Sequence, residues 1–580
     1  MKKITSYIWQ FRWRYLLAVV ALLIAVSLDM LSPRLTRIMV DEVIVGKNID
    51  LFKWLILGYL GIGVGRCVFQ YVKEYTFDDT SNLIAATIRK DLFNHIQSLS
   101  ADYFDRTNTG ELMSRIKEDV DHIWDGLGFV GMLILEVIYH TVAVLACMAS
   151  INIKLTIIPF VAIIACGGVA VAMERSLGVV YGEISDQNTV LNTVAEENLG
   201  GVRTVKSFAR EKFEIQKFLS HNQKYYDLNM KQSKIFVRYY PIFSLVTKLL
   251  PVLVLLFGGH YVVQKSMTIG ELSSFVEYSM NIVWPMEMLG WLTNCFSSAV
   301  ASNKKLKNIF AEKPTVTECE NPVVLDSVKG KIKFDNVSFH KADNYEILRD
   351  ISFEVEAGKT LGIMGATGAG KTSIVQLLQR EYDVTGGAIY IDDVDIRQMT
   401  LGQVRTAVGY VMQDVFLFSD TISENIRMGN KRALSHKEIV NAAWDASAGC
   451  FIEKMDDEYE TVIGERGVGL SGGQKQRISI ARALAKKNPI LVMDDSTSAL
   501  DMETEHAIQD MLGDKKGITK LIVAHRISAV RHADEIIVLE EGRVAERGTH
   551  EELMKLKGLY YETYLSQYET IPELEEGGDK

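Results

Sequence analysis

Six stretches of mostly apolar residues, 15–32, 54–72, 127–149, 155–173, 242–263 and 271–299, occupy the first half of the 580-residue chain. A helix needs about 20 such residues to cross the hydrocarbon layer of a bilayer, where every backbone N–H and C=O must be paired inside the segment. The pattern predicts six transmembrane helices. Two further intervals, 73–126 and 174–241, are charged, rich in helix formers and poor in proline, and they predict helices that continue well past the membrane. The basic residues Lys2, Lys3, Arg12 and Arg14 before the first apolar run imitate a signal peptide, but no small-residue cleavage pattern follows, so that run is expected to be retained.

Composition shows that this is only half the story. Apolar residues make up 48% of the chain and charged residues 23%, the mixture expected when a membrane part is joined to a soluble one. Hydropathy places the membrane part at 1–310, a linker with Pro314 and Pro322 at 311–325, a soluble domain at 326–570 and an acidic tail at 571–580. A net charge of −10 leaves no broad basic surface, which argues against nucleic acid as a partner. The six cysteines stand singly without CxxC pairs, as expected of reduced structural thiols.

Ionisable side chains inside the apolar stretches, namely Asp29, Glu136, His140, Lys248 and Glu287, are functional candidates because burying them in lipid is costly; helix ends and mutual pairing are the structural alternatives. Glu287 is the leading substrate candidate, with Trp284. It follows Trp284-Pro285, where proline loosens a helix and an aromatic ring beside a carboxylate suits a cationic amphipathic molecule.

In the soluble half, short apolar runs alternate with helical patterns, as in α/β folds. The run Leu361-Gly362-Ile363-Met364 reads as a buried strand and leads into Gly365-Ala366-Thr367-Gly368-Ala369-Gly370-Lys371-Thr372, the pattern GxxxxGK[ST], with helical sequence from Ser373. Such glycines let backbone N–H groups turn toward phosphates. Lys371 then reaches the β/γ phosphate oxygens, and the Thr372 hydroxyl is placed to ligate Mg²⁺. A second apolar strand, Ile490-Leu491-Val492-Met493, ends in Asp494 and Asp495, carboxylates of the kind that hold Mg²⁺ and orient water.

The sequence Leu470-Ser471-Gly472-Gly473-Gln474 makes the resemblance specific: the chain is similar to ABC exporters, whose ATPases carry an LSGGQ signature. Gln413 matches their Q-loop, which contributes to catalysis and to the Mg²⁺ site. Ser498 to Asp501 match the D-loop, His525 the switch histidine, and Glu465-Arg466-Gly467 the X-loop. The segments around Phe104-Asp105, Thr109 to Leu112 and Glu197 to Phe208 resemble the family's two intracellular loops. The resemblance implies an α-helical membrane domain of six transmembrane helices with long intracellular extensions, fused to an α/β P-loop ABC ATPase domain. It also implies ATP and Mg²⁺ as cofactors and a bilayer as surroundings. Two such ATPase domains meet head to tail, so that Ser471, Gly472, Gly473 and Gln474 would serve a partner's nucleotide.

Two positions depart from the family pattern. Asp495 stands where the family has a water-polarising Glu, and the missing methylene withdraws its carboxylate by about 1.5 Å. Lys341 occupies the place of the aromatic that stacks on adenine, with Tyr345 as the possible substitute. Together these resemble the weak-site subunit of heterodimeric exporters, whose partner is a second half-exporter carrying the usual Glu. The expected function is ATP-driven export of an amphipathic small molecule, drug, lipid or peptide across the cytoplasmic membrane. Both termini are expected on the cytoplasmic side, where ATP is; the outer loops, with Lys47, Lys154 and Lys265, are short. A homodimer with a functional Asp variant and an ATP-gated channel or regulatory protein are the competing expectations. A peptide-processing exporter would need an N-terminal protease domain, for which the first span, near residue 15, leaves no room.

Overall fold

The computed structural model describes residues 4–341, 345–430 and 434–568; the acidic tail at 571–580 lies outside them. The chain forms two compact units and does not divide at one point. One unit comprises the chain through Ser98 together with Thr107–Lys313, and the other comprises Leu99–Arg106 together with the chain from Pro314 onward.

The first unit is helical. Among the described residues five helical stretches are long and apolar enough to cross a membrane: Arg12–Val45, Asp50–Ser98, Thr109–Ile151, Ile153–Gly200 and Glu211–Val263. Three are continuous helices of 49, 48 and 53 residues. At about 1.5 Å per residue they run more than twice the roughly 30 Å of a hydrocarbon layer, so the charged intervals do extend as helix. The expected sixth span, 271–299, is instead interrupted. A helix at Ile269–Asn281 ends at Ile282 and another begins at Val283, with Pro285 in its first turn. Proline has no N–H to donate to the carbonyl four residues back and its ring crowds that carbonyl, which accounts for the break. At the other end of this element, Thr268 and Glu271 form a reciprocal cap.

The interior of this unit is apolar, with clusters around Met148 and Phe275 and around Leu22 and Phe77, but unlike a soluble bundle its outer face is apolar as well. Leu57, Leu60, Val64 and Val68 are exposed, whereas Lys73, Thr80, Ser81 and His140 are buried. Apolar side chains facing outward suit lipid; of the polar ones turned inward, Lys73 pairs with Glu136 and the Ser81 hydroxyl donates to Asp78 O, whereas Thr80 Oγ1 and His140 Nδ1 have no hydrogen-bond partner.

The second unit is α/β. Strands β1 (Ile332–His340), β2 (Glu346–Val355), β4 (Gly386–Ile391) and β5 (Val394–Asp395) form an antiparallel sheet in the order β2-β1-β4-β5. A six-stranded sheet has the order β10-β9-β3-β8-β7-β6. Its members are β3 (Thr360–Gly365), β6 (Val408–Val411), β7 (Ile490–Asp494), β8 (Thr519–Val523), β9 (Glu535–Glu540) and β10 (Arg543–Gly548). All its pairings are parallel except β10 with β9. Strand β7 is buried along its whole length, as both-face-covered parallel strands are, and this is why its sequence is one apolar run. Parallel order has a direct consequence for function: the segments leaving β3, β6, β7 and β8 all emerge at the same edge of the sheet.

Candidate nucleotide site and signature surface

The segment leaving β3 is the glycine-rich loop. Gly365, Gly368 and Gly370 all have positive φ, and a Cβ at Gly365 would lie 2.4 Å from the Leu539 carbonyl oxygen. Only glycine permits that path. Ala366, Thr367 and Gly368 form the exposed tip, Ala369 anchors the loop in the core, and the helix Lys371–Leu378 starts immediately after Gly370. Thr372 and Ser373, in its first turn, are half-buried. The backbone N–H groups of that turn have no intrahelical partners, the property that makes such a terminus suited to phosphate.

Lys371 is 7% exposed, and its Nζ donates to the carbonyls of Gly365 (2.7 Å) and Ala366 (2.9 Å). Burial holds its ammonium below the ordinary lysine pKa, with Asp495 and Asp494 opposing that shift. Asp494 closes β7 and is 1% exposed. It accepts from the Thr372 hydroxyl at 3.4 Å and from the Tyr410 hydroxyl at 3.3 Å. Burial raises its carboxyl above the usual aspartate value; Asp495 adds to the rise, while the two hydroxyls and Lys371 act against it. A buried carboxylate beside a threonine hydroxyl is an oxygen donor set that fits a hard divalent cation. No group of three or more His, Cys, Asp and Glu that could hold a metal occurs among the described residues, so an Mg²⁺ ion here would complete its shell with amide, phosphate and water oxygens.

Asp495 has a left-handed backbone, with φ of 43°. Its N–H donates to Val523 O at 2.9 Å, and its carbonyl accepts from the Ser498 hydroxyl at 2.9 Å and from Gln476 Nε2 at 3.4 Å. Gln413, just beyond β6, is exposed. His525 follows β8, is half-buried, and lines a cavity of about 590 Å³ together with Gly365, Ala366 and Thr367. Its carbonyl accepts from Gln567 Nε2 at 2.7 Å, in the C-terminal helix Leu559–Tyr568.

The signature residues sit elsewhere in the unit, at the start of the helix Gly472–Ala485. Ser471 is its N-cap: Ser471 Oγ accepts from the Gln474 N–H at 3.3 Å, and the Gln474 side chain accepts from the Ser471 N–H at 2.8 Å. This helix buries Ile478, Ile480 and Ala481 in an apolar cluster with Ile422, Ile439 and Met493, distinct from the cluster that holds β3 and the helix after the phosphate loop. Gly473 packs closely on the next loop, since a Cβ there would lie 3.1 Å from Ala499 O.

The sequence reading missed Gln476. It is 3% exposed and links the signature helix to both neighbours, donating to Asp495 O and accepting from Ala499 N–H at 3.2 Å. Its one sequence signal is a polar residue on the same helix face as Ile480 and Ala483. Tyr410, which holds Asp494, carried no such signal. At the two departing positions, Tyr345 is exposed, whereas Lys341 is engaged: its Nζ lies 2.8 Å from Asp105 and 5.3 Å from the Tyr382 ring centre. Burial raises the Asp105 carboxyl, but the hydrogen bonds from Lys341 and Tyr382 and the Lys341 charge outweigh it and hold the group below its ordinary value.

In the helical unit the candidate ionisable residues divide. Asp29, Glu136 and His140 line one cavity with Arg66 and Trp284. Glu287 is exposed and is not among that cavity's lining residues; Lys248 lies in the helix Glu211–Val263.

A membrane-spanning helical unit joined to an α/β unit with a phosphate loop, an acidic strand end and a signature helix defines a membrane ATPase of the transporting class. Residues 15–286 match the ABC transporter transmembrane region and residues 348–498 the ABC transporter ATPase domain. The chain belongs to the ABC transporter family. It is 36% identical over 579 residues to the ABC transporter ATP-binding protein YknU of Bacillus subtilis, covering 99% of this chain and 98% of that one. It is 34% identical over 576 residues to an ATP-dependent lipid A-core flippase of Syntrophus aciditrophicus, covering 97% and 94%. A solved bacterial Atm1-family ABC exporter with ATP bound matches 97% of this chain and 99% of its own, at 28% identity and a TM-score of 0.85. The chain is thus a multi-pass membrane protein with half-transporter architecture, and its ATPase domain couples ATP hydrolysis to transport.

Proposed function

We propose that the chain is the weak-site half of a heterodimeric exporter that moves an amphipathic molecule out across the cytoplasmic membrane, with both termini on the cytoplasmic side. In this reading residues 365–373 and Tyr345 hold ATP. Thr372, Gln413 and Asp494 hold Mg²⁺, which when bound neutralises phosphate charge. Asp495, Gln413 and His525 face the attacking water, and Ser471 to Gln474 complete the nucleotide site of a partner chain that carries Glu after its own Mg²⁺ aspartate. Trp284 and Glu287 remain the proposed substrate contacts of the last span.

The observation that carries the asymmetry is the fixed backbone of Asp495. A carboxylate one methylene short could regain its reach only by a backbone shift, and three hydrogen bonds plus a left-handed conformation oppose one. Relatives whose names assign them to lipid A-core flipping and, provisionally, to multidrug export support an amphipathic cargo.

The test is steady-state ATPase activity of the reconstituted pair. Asp495→Asn should leave most turnover intact, because a carboxylate too short for the water stabilises little in the transition state. Ser471→Arg should stop turnover and transport together by putting a bulky cation where the partner's nucleotide must dock. Loss of turnover in Asp495→Asn, with Ser471→Arg spared, would show Asp495 to be a working base. Ion conductance without ATP-driven uphill movement would sink the export reading.

A further inference from the structure

Inside the helical unit a cavity of about 370 Å³ is lined by Asp29, Arg66, Glu136, His140, Asn281 and Trp284. Its charged walls are paired. Arg66 Nη1 lies 2.5 Å from Asp29 Oδ1, and Glu136 Oε2 lies 2.8 Å from Lys73 Nζ, which stands behind it at 1% exposure. Two acids and two bases leave the walls without net charge.

The pairs are not saturated. The Arg66 side chain is 52% exposed and Asp29 21%, so the guanidinium keeps donors and the carboxylate keeps lone pairs for a further group. His140 is 7% exposed, its Nε2 is 3.9 Å from Asp29 Oδ2, and its Nδ1 is buried with no hydrogen-bond partner. At 3.9 Å the Nε2 is beyond hydrogen-bond distance of Asp29, which leaves it for a further group. Asn281 ends its helix at the break, and Pro285 has no N–H to return to its carbonyl. Interrupted membrane helices place free backbone groups where a cavity needs them.

A lone ion is poorly served by such walls, because attraction to one member of each pair is offset by repulsion from the other. A group carrying both charges fits both. We propose that this cavity binds a zwitterionic head group, its ammonium on Asp29 and Glu136 and its anionic oxygens on Arg66 and His140. The assignment rests on the export reading above and narrows its cargo.

Binding of tritiated lysophosphatidylcholine to the full chain in phosphatidylglycerol nanodiscs tests this, with lysophosphatidic acid and hexadecyltrimethylammonium as single-charge competitors. The zwitterion should bind at least about tenfold more tightly than either. Glycerophosphocholine, which lacks the acyl chain, separates the sources. Competition close to that of the lysolipid assigns a soluble zwitterion, and none assigns a membrane-borne head group. Arg66→Gln should weaken the zwitterion by about tenfold while strengthening the cation, and Asp29→Asn should do the mirror image with the anion. Such gains cannot arise from misfolding. Equal affinity for all three heads, or variants that change all three in parallel, would overturn the assignment. ATP-driven movement of the lysolipid in proteoliposomes belongs to the export reading alone: its absence beside intact head-group selectivity would remove that reading and leave the cavity.

Discussion

The phosphate-loop site and the membrane cavity both bury charge, but they treat it in opposite ways. At the phosphate loop, burial holds Lys371 below and Asp494 above their ordinary pKa values, and their partners are neutral carbonyls and hydroxyls. In the cavity every lining acid already has a base: Asp29 has Arg66 and Glu136 has Lys73. The difference follows from surroundings. A site at a sheet edge can keep charges poised for a highly charged ligand because water and loop dipoles share the burden, whereas an unpaired charge among lipid-facing helices has no such help.

The sharpest way to break this contrast is to unpair a membrane charge. Glu136→Ala should cost about 3–5 kcal/mol, since it strands the buried Lys73, whereas Glu136→Leu combined with Lys73→Met should be close to neutral. Thermal unfolding in detergent distinguishes the two; equal losses would mean the pair acts through packing. At the other site Lys371→Ala should weaken nucleotide binding by about tenfold or more, because a point charge on the β/γ oxygens disappears. Labelled ATP retained there at unchanged affinity would refute the loop assignment.

A smaller effect separates the phosphate-loop site from the signature surface. Gln476→Leu keeps volume but leaves the Ala499 N–H unpaired, and should destabilise the soluble unit by about 1–2 kcal/mol in denaturant titrations. An unchanged midpoint would mean that water replaces the link. The smallest effect belongs to an exposed pair. Asp105 is depressed by Lys341 and Tyr382, so its contribution is fully present above the unfolded aspartate pKa of about 3.9 and is lost as pH falls through the lower folded value. With both side chains more than 40% exposed, Asp105→Asn should cost about 0.5 kcal/mol or less at pH 7, and the cost should fade as pH falls through the lowered folded value.

What the sequence could reveal also differs between the two regions. The phosphate loop, acidic strand and signature were legible because each is a local run whose spacing reflects local backbone geometry, and parallel strand order then gathers the loops at one edge. The membrane charges were legible as residues but not as a site. Asp29 and Arg66 are 37 positions apart, and Lys73 and Glu136 are 63 apart, so their pairing depends on helix packing. Lys73 itself read as the start of a cytoplasmic extension, yet it is among the most buried side chains of the helical unit. The left-handed backbone of Asp495 left no trace in the sequence either, since aspartate adopts it only where neighbours hold it.

Because Leu99–Arg106 folds with the C-terminal unit while both flanking stretches belong to the other, the polypeptide passes from one unit to the other three times. Tyr382 and Lys341 share Asp105, and Thr315 and the Val316 N–H rest on Asp102 and Ser100. A soluble half excised at residue 314 would therefore lack a piece of its own fold. Exchanging ATPase halves between related chains by a single crossover would graft an acceptor onto a foreign insert, and only a two-segment transplant carrying residues 99–106 would keep the module whole.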